Sequence, residues 1–283
     1  MVDTRRPAAA AGTIRLGDLT VNRLAFGAMR VAGPGVWGDP ADRPAMHRLL
    51  RRAFELGHTF FDTADSYGPD VSETMIAEAL YPYPKELVIG TKGGFVRPRN
   101  HGWKANGHPE HLRRALDGSL KRLRLECIDL YQFHVPDPEV PFVESFGTLA
   151  ELRRAGKIRH LGVSNVDVRE LEQARRIAPV VSVQNEYNIG DRASDAVLAA
   201  CEAAGIAFIP WYPLGAGRAL TSRKVQRVAK RLNATPSQVA LAWLLARSPV
   251  MMPIPGTSSI AHLEQNAAST AVRLLPADRS ALD

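Results

Sequence analysis

Cysteine is scarce: the 283 residues hold only Cys127 and Cys201. A disulfide-stapled secreted scaffold needs a larger, spaced set, so both are expected as reduced, buried thiols and the chain as cytoplasmic. Long hydrophobic runs are lacking too. Nothing approaches the roughly 18 apolar residues of a membrane span, and no membrane role is expected. The opening MVDTRRPAAAAG has no apolar middle of the kind a secretory signal carries. It reads as a flexible tail over residues 1–12, ahead of a single domain over 13–283. Acidic residues are the minority charge, 29 against 36 basic, for a net +7 and a pI near 9.7. The densest basic runs, KRLRLE and AKRLN, continue amphipathic patterns and read as solvated helix faces rather than a nucleic-acid surface. A positive field still helps to recruit a phosphate-bearing cofactor.

What is present is an alternation. Eight short segments rich in Val, Ile and Phe read as strands: 23–29, 58–64, 87–93, 127–134, 160–165, 182–187, 207–213 and 251–256. Longer segments of helical period lie between them. Met46, Leu49, Leu50, Ala53 and Phe54 fall on one stripe that Gly57 closes. TPSQVALAWLLARSP places Thr235 as a cap, Pro236 in the first turn and Gln238 as its reciprocal partner, with Pro249 as the stop. Eight alternations without a long polar linker predict an α/β fold, a closed (β/α)8 TIM barrel. The leading TIRLGDLTV predicts a short N-terminal β-hairpin, turning at Gly17-Asp18, at the bottom of the barrel. An open doubly wound sheet is the alternative. It calls for GxGxxG after the first strand, and FGAMRVAGPGVWG does not match.

In such a barrel the reactive groups gather where the strands end. Asp62 lies near the end of the second strand and Tyr67 in the loop after it. Lys92 ends the third strand, His134 the fourth, and Ser164 and Asn165 the fifth. Gln184 lies on the sixth, and Trp211 and Tyr212 near the end of the seventh. Taken one at a time, each has a plain reading: a packed tyrosine, a solvated lysine, a core histidine. Four of them at one end of one barrel weaken those readings together. Asp65, two residues before Tyr67, reads as a loop or capping acid.

With these residues in order, the sequence resembles the aldo-keto reductases. FFDTADSYG, IGTKGG, DLYQFHVPD, GKIRHLGVSN, VQNEYN, WYPLGAG and IPGTSSIAHLEQN are similar to successive motifs of that family, from about residue 13 to 275. The resemblance implies a catalytic tetrad of Asp62, Tyr67, Lys92 and His134, reducing aldehydes and ketones with hydride from a nicotinamide. A free tyrosine, with a pKa of about 10, is a reluctant acid. A buried lysine beside it is expected to lower that pKa, the aspartate to anchor the lysine, and the histidine to bond the carbonyl oxygen or relay the proton.

The same resemblance assigns the nicotinamide carboxamide to Ser164, Asn165 and Gln184, and ring stacking to Trp211. Tyr212, Leu214, Gly217 and Arg218 fall in the loop expected at the pyrophosphate. Gly256, Thr257, Ser258, His262, Gln265 and Asn266 fall at the adenosine end. Many relatives carry lysine and arginine where this chain has Gly256 and His262. NADPH is nonetheless favoured over NADH, on family habit and the basic field, with no metal and no flavin. The alternative from another class is a nucleotide-binding accessory protein, such as a channel subunit; the complete tetrad and the absence of a partner-binding extension weigh against it.

Trp37 and Trp103, loop aromatics without an evident core to join, are candidate contacts for an apolar or aromatic aldehyde. Packing within a lid is their plain alternative. The sequence ends in LLPADRSALD, and an open, permissive pocket is expected. His108 and His111, in HPEH, have a metal-like spacing, but Pro109 reads as a helix start and His108 as its cap. The NAT at 233 reads as a helix cap rather than a glycosylation acceptor. The partner expected is a small carbonyl compound, with the protein a monomer or weak homo-oligomer.

Overall fold

A strand that is apolar at nearly every position has to be covered on both faces. The computed structural model, which describes residues 5–283, meets this by curling such strands into a parallel sheet with helices outside. The chain begins with a hairpin, β1 (Thr13–Leu16) and β2 (Leu19–Asn22), then enters the sheet with β3 (Phe26–Gly27), β4 (Phe60–Asp62) and β5 (Val88–Gly93). A small ribbon, β6 (Phe95–Val96) and β7 (Lys104–Ala105), interrupts. The sheet resumes with β8 (Ile128–Phe133), β9 (Ile158–Ser164), β10 (Val180–Glu186) and β11 (Ala207–Trp211). The seven sheet strands are neighbours in chain order and all parallel. The helices are α1 (Arg43–Glu55), α2 (Val71–Leu80), α3 (Pro109–Leu123), α4 (Phe142–Arg154), α5 (Val168–Ile177), α6 (Asp195–Ala204), α7 (Arg223–Leu232), α8 (Pro236–Arg247), α9 (Ile260–Ala267) and α10 (Pro276–Leu282).

The eighth segment closes the barrel without becoming a regular strand. Phe208 N–H donates to Val250 O (2.8 Å) and Met252 N–H to Phe208 O (2.8 Å) on one side. On the other, Ala25 N–H donates to Pro253 O (3.0 Å) and Gly27 N–H to Pro255 O (3.3 Å). Pro253 and Pro255 have no N–H to return, so the ladder toward β3 runs one way. The expected 251–256 strand is thus a proline-interrupted seam. The other strands begin or end up to three residues from their expected limits.

Alternation sorts the side chains. Phe60, Val88, Leu130, Ile209, Met252 and Ile254 form a buried cluster that includes Leu16 and Val21 of the hairpin, which plugs the barrel as expected. Phe61, Ile89, Tyr131, Phe133, Val183 and Phe208 point the other way, into the larger core shared with the helices. Inside the barrel, a Cβ on Gly90 would stand 2.4 Å from the Phe60 ring, and one on Gly162 2.2 Å from Ser182 Oγ. Those glycines leave room for bulkier neighbours from adjacent strands.

Local signals start the helices. Asp42 accepts from Ala45 N–H (2.8 Å) ahead of α1, and Thr235 and Gln238 make the expected reciprocal cap of α8. His108 stands at the start of α3, but its side chain makes no capping bond. Two expectations need correction. Residues 1–4 of the anticipated tail lie outside the described residues, but Pro7–Ala11 form a 3-10 turn with Ala8 fully buried, its N–H bonded to Leu56 O (3.0 Å). Small alanines let this segment seat against the barrel wall. Cys201 is buried, whereas Cys127 is exposed, because it precedes β8 rather than lying within it. Among the described residues, no helix is long and apolar enough to cross a membrane.

His58, just before β4, is buried with Nδ1 2.9 Å from Leu24 O, so that nitrogen carries the proton and donates. Burial pulls its pKa down to about 4. The unfolded ring takes a proton below about 6.5, the folded one not until about 4, so the unfolded state binds more protons in that window. Stability contributed by neutral His58 is complete above this window and is lost as pH falls through it, by about 3 kcal/mol in all. Urea unfolding at pH 7 and pH 4 should therefore differ less in His58→Gln than in the parent, by roughly that amount.

Candidate active site

The inward residues nearest the carboxyl ends of the strands are polar, and they converge. Lys92, last but one in β5, has no exposed surface. Its ammonium donates to Asp62 Oδ2 (2.7 Å), Thr63 O (2.9 Å) and Tyr67 Oη (3.2 Å), which uses all three of its protons. Asp62, the end of β4, accepts through Oδ1 from Gln184 Nε2 (2.8 Å) and Gln132 Nε2 (3.4 Å). Burial alone lowers the pKa of a lysine, but the Asp62 charge and hydrogen bond outweigh it, and Lys92 stays above its ordinary value. The 2.7 Å contact thus favours the charged form of the buried lysine.

Tyr67 and His134 face this pair. Burial is the largest influence on Tyr67 and raises its pKa; Lys92 pulls down but does not win. This corrects the expectation that the lysine leaves the phenol more acidic than a free one. Tyr67 Oη accepts from the Lys92 ammonium, which leaves the hydroxyl's own proton free to be donated to another partner. His134 is neutral: burial drives its pKa well below the ordinary value, and the Lys92 charge adds to the shift. Its Nδ1 is buried with no protein partner. The rings of Tyr67 and His134 meet edge to face at 6.0 Å, and Phe95 and Trp103 complete an aromatic box, 4.7 and 6.4 Å from His134.

A cleft of about 450 Å³ opens over these groups. It is lined by Gly27, Met29, Arg30, Asp62, Tyr67, Phe95, Trp103, His134 and Val135, and by Ser164, Asn165, Gln184, Trp211, Tyr212, Pro213, Leu214, Ala216 and Ile254 to Gly256. The carboxamide side chains are already oriented. Ser164 Oγ donates to Gln184 O (2.7 Å), and Asn165 Nδ2 donates to His134 O (2.9 Å). Asn165 Oδ1 accepts from Trp211 Nε1 (3.0 Å), which fixes the indole plane at the wall.

Not every expected residue reaches the cleft. Gly217 and Arg218 lie beyond it, Arg218 beside a neighbouring hollow with Glu186, Ser222 and Lys224. Thr257 and Asn266 are buried, and Ser258, His262 and Gln265 exposed, past the end of the cleft at Gly256. Ser259 caps α9, accepting from His262 N–H (3.4 Å). Trp37 stands off the cleft, stacked on His101 at 4.0 Å, so it packs a loop rather than lining the pocket. Gln132 was not singled out from the sequence. Gln132 had a signal: it sits two before His134 in β8, hence on the same inward face.

Comparison with known proteins shows the family. The profile of the Aldo/keto reductase family matches residues 23–283. The chain belongs to the aldo/keto reductase family. It is 48% identical over 268 residues to an uncharacterized oxidoreductase of Schizosaccharomyces pombe, covering 94% of this chain and 87% of that one. It is 44% identical to the pyridoxine 4-dehydrogenase of Escherichia coli, over 96% and 97% of the two chains. Among solved structures, a thermostable aldo-keto reductase bound to the inhibitor epalrestat superposes with a TM-score of 0.84 at 33% identity, over 96% and 98% of the chains. As an aldo-keto reductase the protein is an oxidoreductase, and its barrel is the family's.

The aldo-keto reductase core predicts an asymmetry in stability. Replacing Asp62 by Asn strands the Lys92 charge in the interior and should cost about 3–5 kcal/mol by urea unfolding. The double replacement Asp62→Asn/Lys92→Met removes the stranded charge and should recover most of that loss.

Proposed function

We propose that this enzyme reduces aldehydes and ketones to alcohols by direct hydride transfer from a nicotinamide, with Tyr67 as the proton donor. One observation carries the reading: the Lys92 ammonium bridges Asp62 Oδ2 (2.7 Å) and Tyr67 Oη (3.2 Å) at the floor of a cleft walled by neutral His134.

The chain's own groups do the following. Ser164, Asn165 and Gln184 offer amide and hydroxyl partners for a carboxamide, and Trp211 offers a flat face held by Asn165. Tyr212, Leu214, Gly217 and Arg218 form the loop assigned to the pyrophosphate, with Arg30 adding a cation at the rim; Gly256, Thr257, Ser258, His262, Gln265 and Asn266 are assigned to the adenosine end. When bound, the nicotinamide supplies hydride to the carbonyl carbon. Tyr67 and the neutral imidazole of His134 hold the carbonyl oxygen. As that oxygen becomes an alkoxide, about as basic as hydroxide, it takes the Tyr67 proton even from a phenol above its ordinary pKa. Lys92 stabilises the resulting phenolate, and Asp62 keeps Lys92 in place. The lysine thus acts on the charge that develops, where an oriented cation contributes most.

NADPH is the proposed dinucleotide, with NADH possible. Family relatives from Klebsiella pneumoniae have been solved with NADP and with NADPH, each at a TM-score of 0.82 and 27% identity, and the net charge of +7 favours the more anionic cofactor. No metal or flavin enters the scheme; among the described residues no cluster of metal-ligating side chains occurs. We assign the enzyme to the cytoplasm, as a single barrel domain acting as a monomer or weak homo-oligomer. The substrate class is set by the aromatic box: flat, apolar or aromatic aldehydes, with Trp103 as a contact. The Escherichia coli relative is named for pyridoxine, so pyridoxal belongs in the test panel beside benzaldehydes.

Tyr67→Phe should bind NADPH as the parent does, yet lose turnover by a factor of about 100 or more. Fluorescence titration and steady-state rates on the same preparation check both halves, and retained turnover would sink the proton-donor role. Dissociation constants for the two dinucleotides form a separate test. Tighter NADPH is expected, and equal affinity or tighter NADH reverses the preference.

A further inference from the structure

Arg97, in the loop after β6, is partly buried, and every hydrogen bond of its guanidinium goes to a backbone carbonyl. Nε donates to Gly102 O (2.9 Å); Nη1 to Val36 O (2.9 Å) and Ser66 O (3.1 Å); Nη2 to His101 O (3.0 Å) and Gly35 O (3.4 Å). These carbonyls belong to three loops. Gly35 and Val36 follow β3, Ser66 directly precedes Tyr67, and His101 and Gly102 belong to the β6–β7 ribbon that carries Trp103. The guanidinium carbon also lies 3.9 Å from the centroid of the Trp103 ring and 5.4 Å from that of Trp37.

Backbone strain collects at the same place. Val36 (φ 58°) and His101 (φ 63°) adopt the left-handed conformation that costs a β-branched or bulky residue most. Such strain persists only where surrounding interactions over-determine it, and both carbonyls are gripped by Arg97. A planar fork with five N–H groups meets five acceptors in fixed directions; an ammonium with three cannot.

We infer that Arg97 is a positioning residue that sets substrate selectivity, by clamping the three wall loops together and pressing Trp103 against Tyr67 and His134. The inference rests on the carbonyl-reductase reading above. Arg97 touches neither the reacting atoms nor the residues assigned to the dinucleotide. A large flat aldehyde depends on the Trp103 wall, whereas a two-carbon aldehyde does not reach it.

The test compares Arg97→Met and Arg97→Lys with the full-length parent, using NADPH and two substrates, benzaldehyde and acetaldehyde. The ratio of kcat/KM for benzaldehyde over acetaldehyde should fall about tenfold in both variants, carried by the KM for benzaldehyde. The Kd for NADPH should stay within about twofold, a readout that general unfolding would move. Acrylamide quenching of tryptophan fluorescence should rise in Arg97→Met, and that rise should vanish when Trp103→Phe is added. An unchanged selectivity ratio, or full rescue of it by lysine, overturns the proposal. If the parent reduces neither aldehyde, the functional reading fails on its own, and the quenching comparison still decides the clamp: no rise in Arg97→Met overturns it.

Discussion

A full positive charge sits inside this barrel where no water reaches. Lys92 has no exposed surface, and its ammonium survives there because one carboxylate neutralises it and two oxygens take its remaining protons. An ion pair of this kind gives little net stability, since desolvation consumes most of the Coulomb gain. What it provides is a fixed electrostatic reference. Gln184 and Gln132 hold the Asp62 carboxylate, Asp62 holds Lys92, and Lys92 holds Tyr67. Each member's position depends on the one before it, so the phenol is oriented by a chain of hydrogen bonds that starts on β10, four strands away in the sheet order.

The barrel makes such a chain possible through parity. Alternate residues on neighbouring parallel strands share one face, and register sets their depth. Lys92 pairs with Gln132 across β5 and β8, and Gln184 pairs with Ser164 across β9 and β10. Below them, Phe60, Val88 and Leu130 form a dry floor sealed by the hairpin. The same alternation sends Thr91 outward to Glu73, which ties the lysine strand to α2 and, through Arg122, to α3. Burial then acts in opposite senses on the groups at the mouth. It raises Tyr67, lowers His134, and is overcome at Lys92 by a counter-ion. Those directions suit the proton donor, neutral hydrogen-bond partner and cation of the proposed reaction.

The loops follow a different logic. No hydrophobic period fixes their path, so isolated side chains do. Trp37 and Trp103 look alike in sequence, each an aromatic within a glycine-containing loop. One stacks on His101 and the other enters the pocket, and both lie against Arg97, at 5.4 and 3.9 Å, an arginine that no local pattern distinguishes from its neighbours. The eighth strand shows the same limit. Its apolar residues announce a strand, while its prolines reduce it to a seam that only the flanking strands hold in place.

The order of the elements, the barrel they close into and the polar residues at the strand ends were all determined by the sequence alone. The reason is that periodicity, caps and turn residues act over a few positions and can be read there. The direction of the Tyr67 shift, the part played by Gln132, the exposure of Cys127 and the division of labour between the two loop tryptophans were decided only by the tertiary structure. Each depends on burial or on contacts between residues dozens of positions apart, and desolvation is a property of the whole surroundings rather than of any stretch of chain.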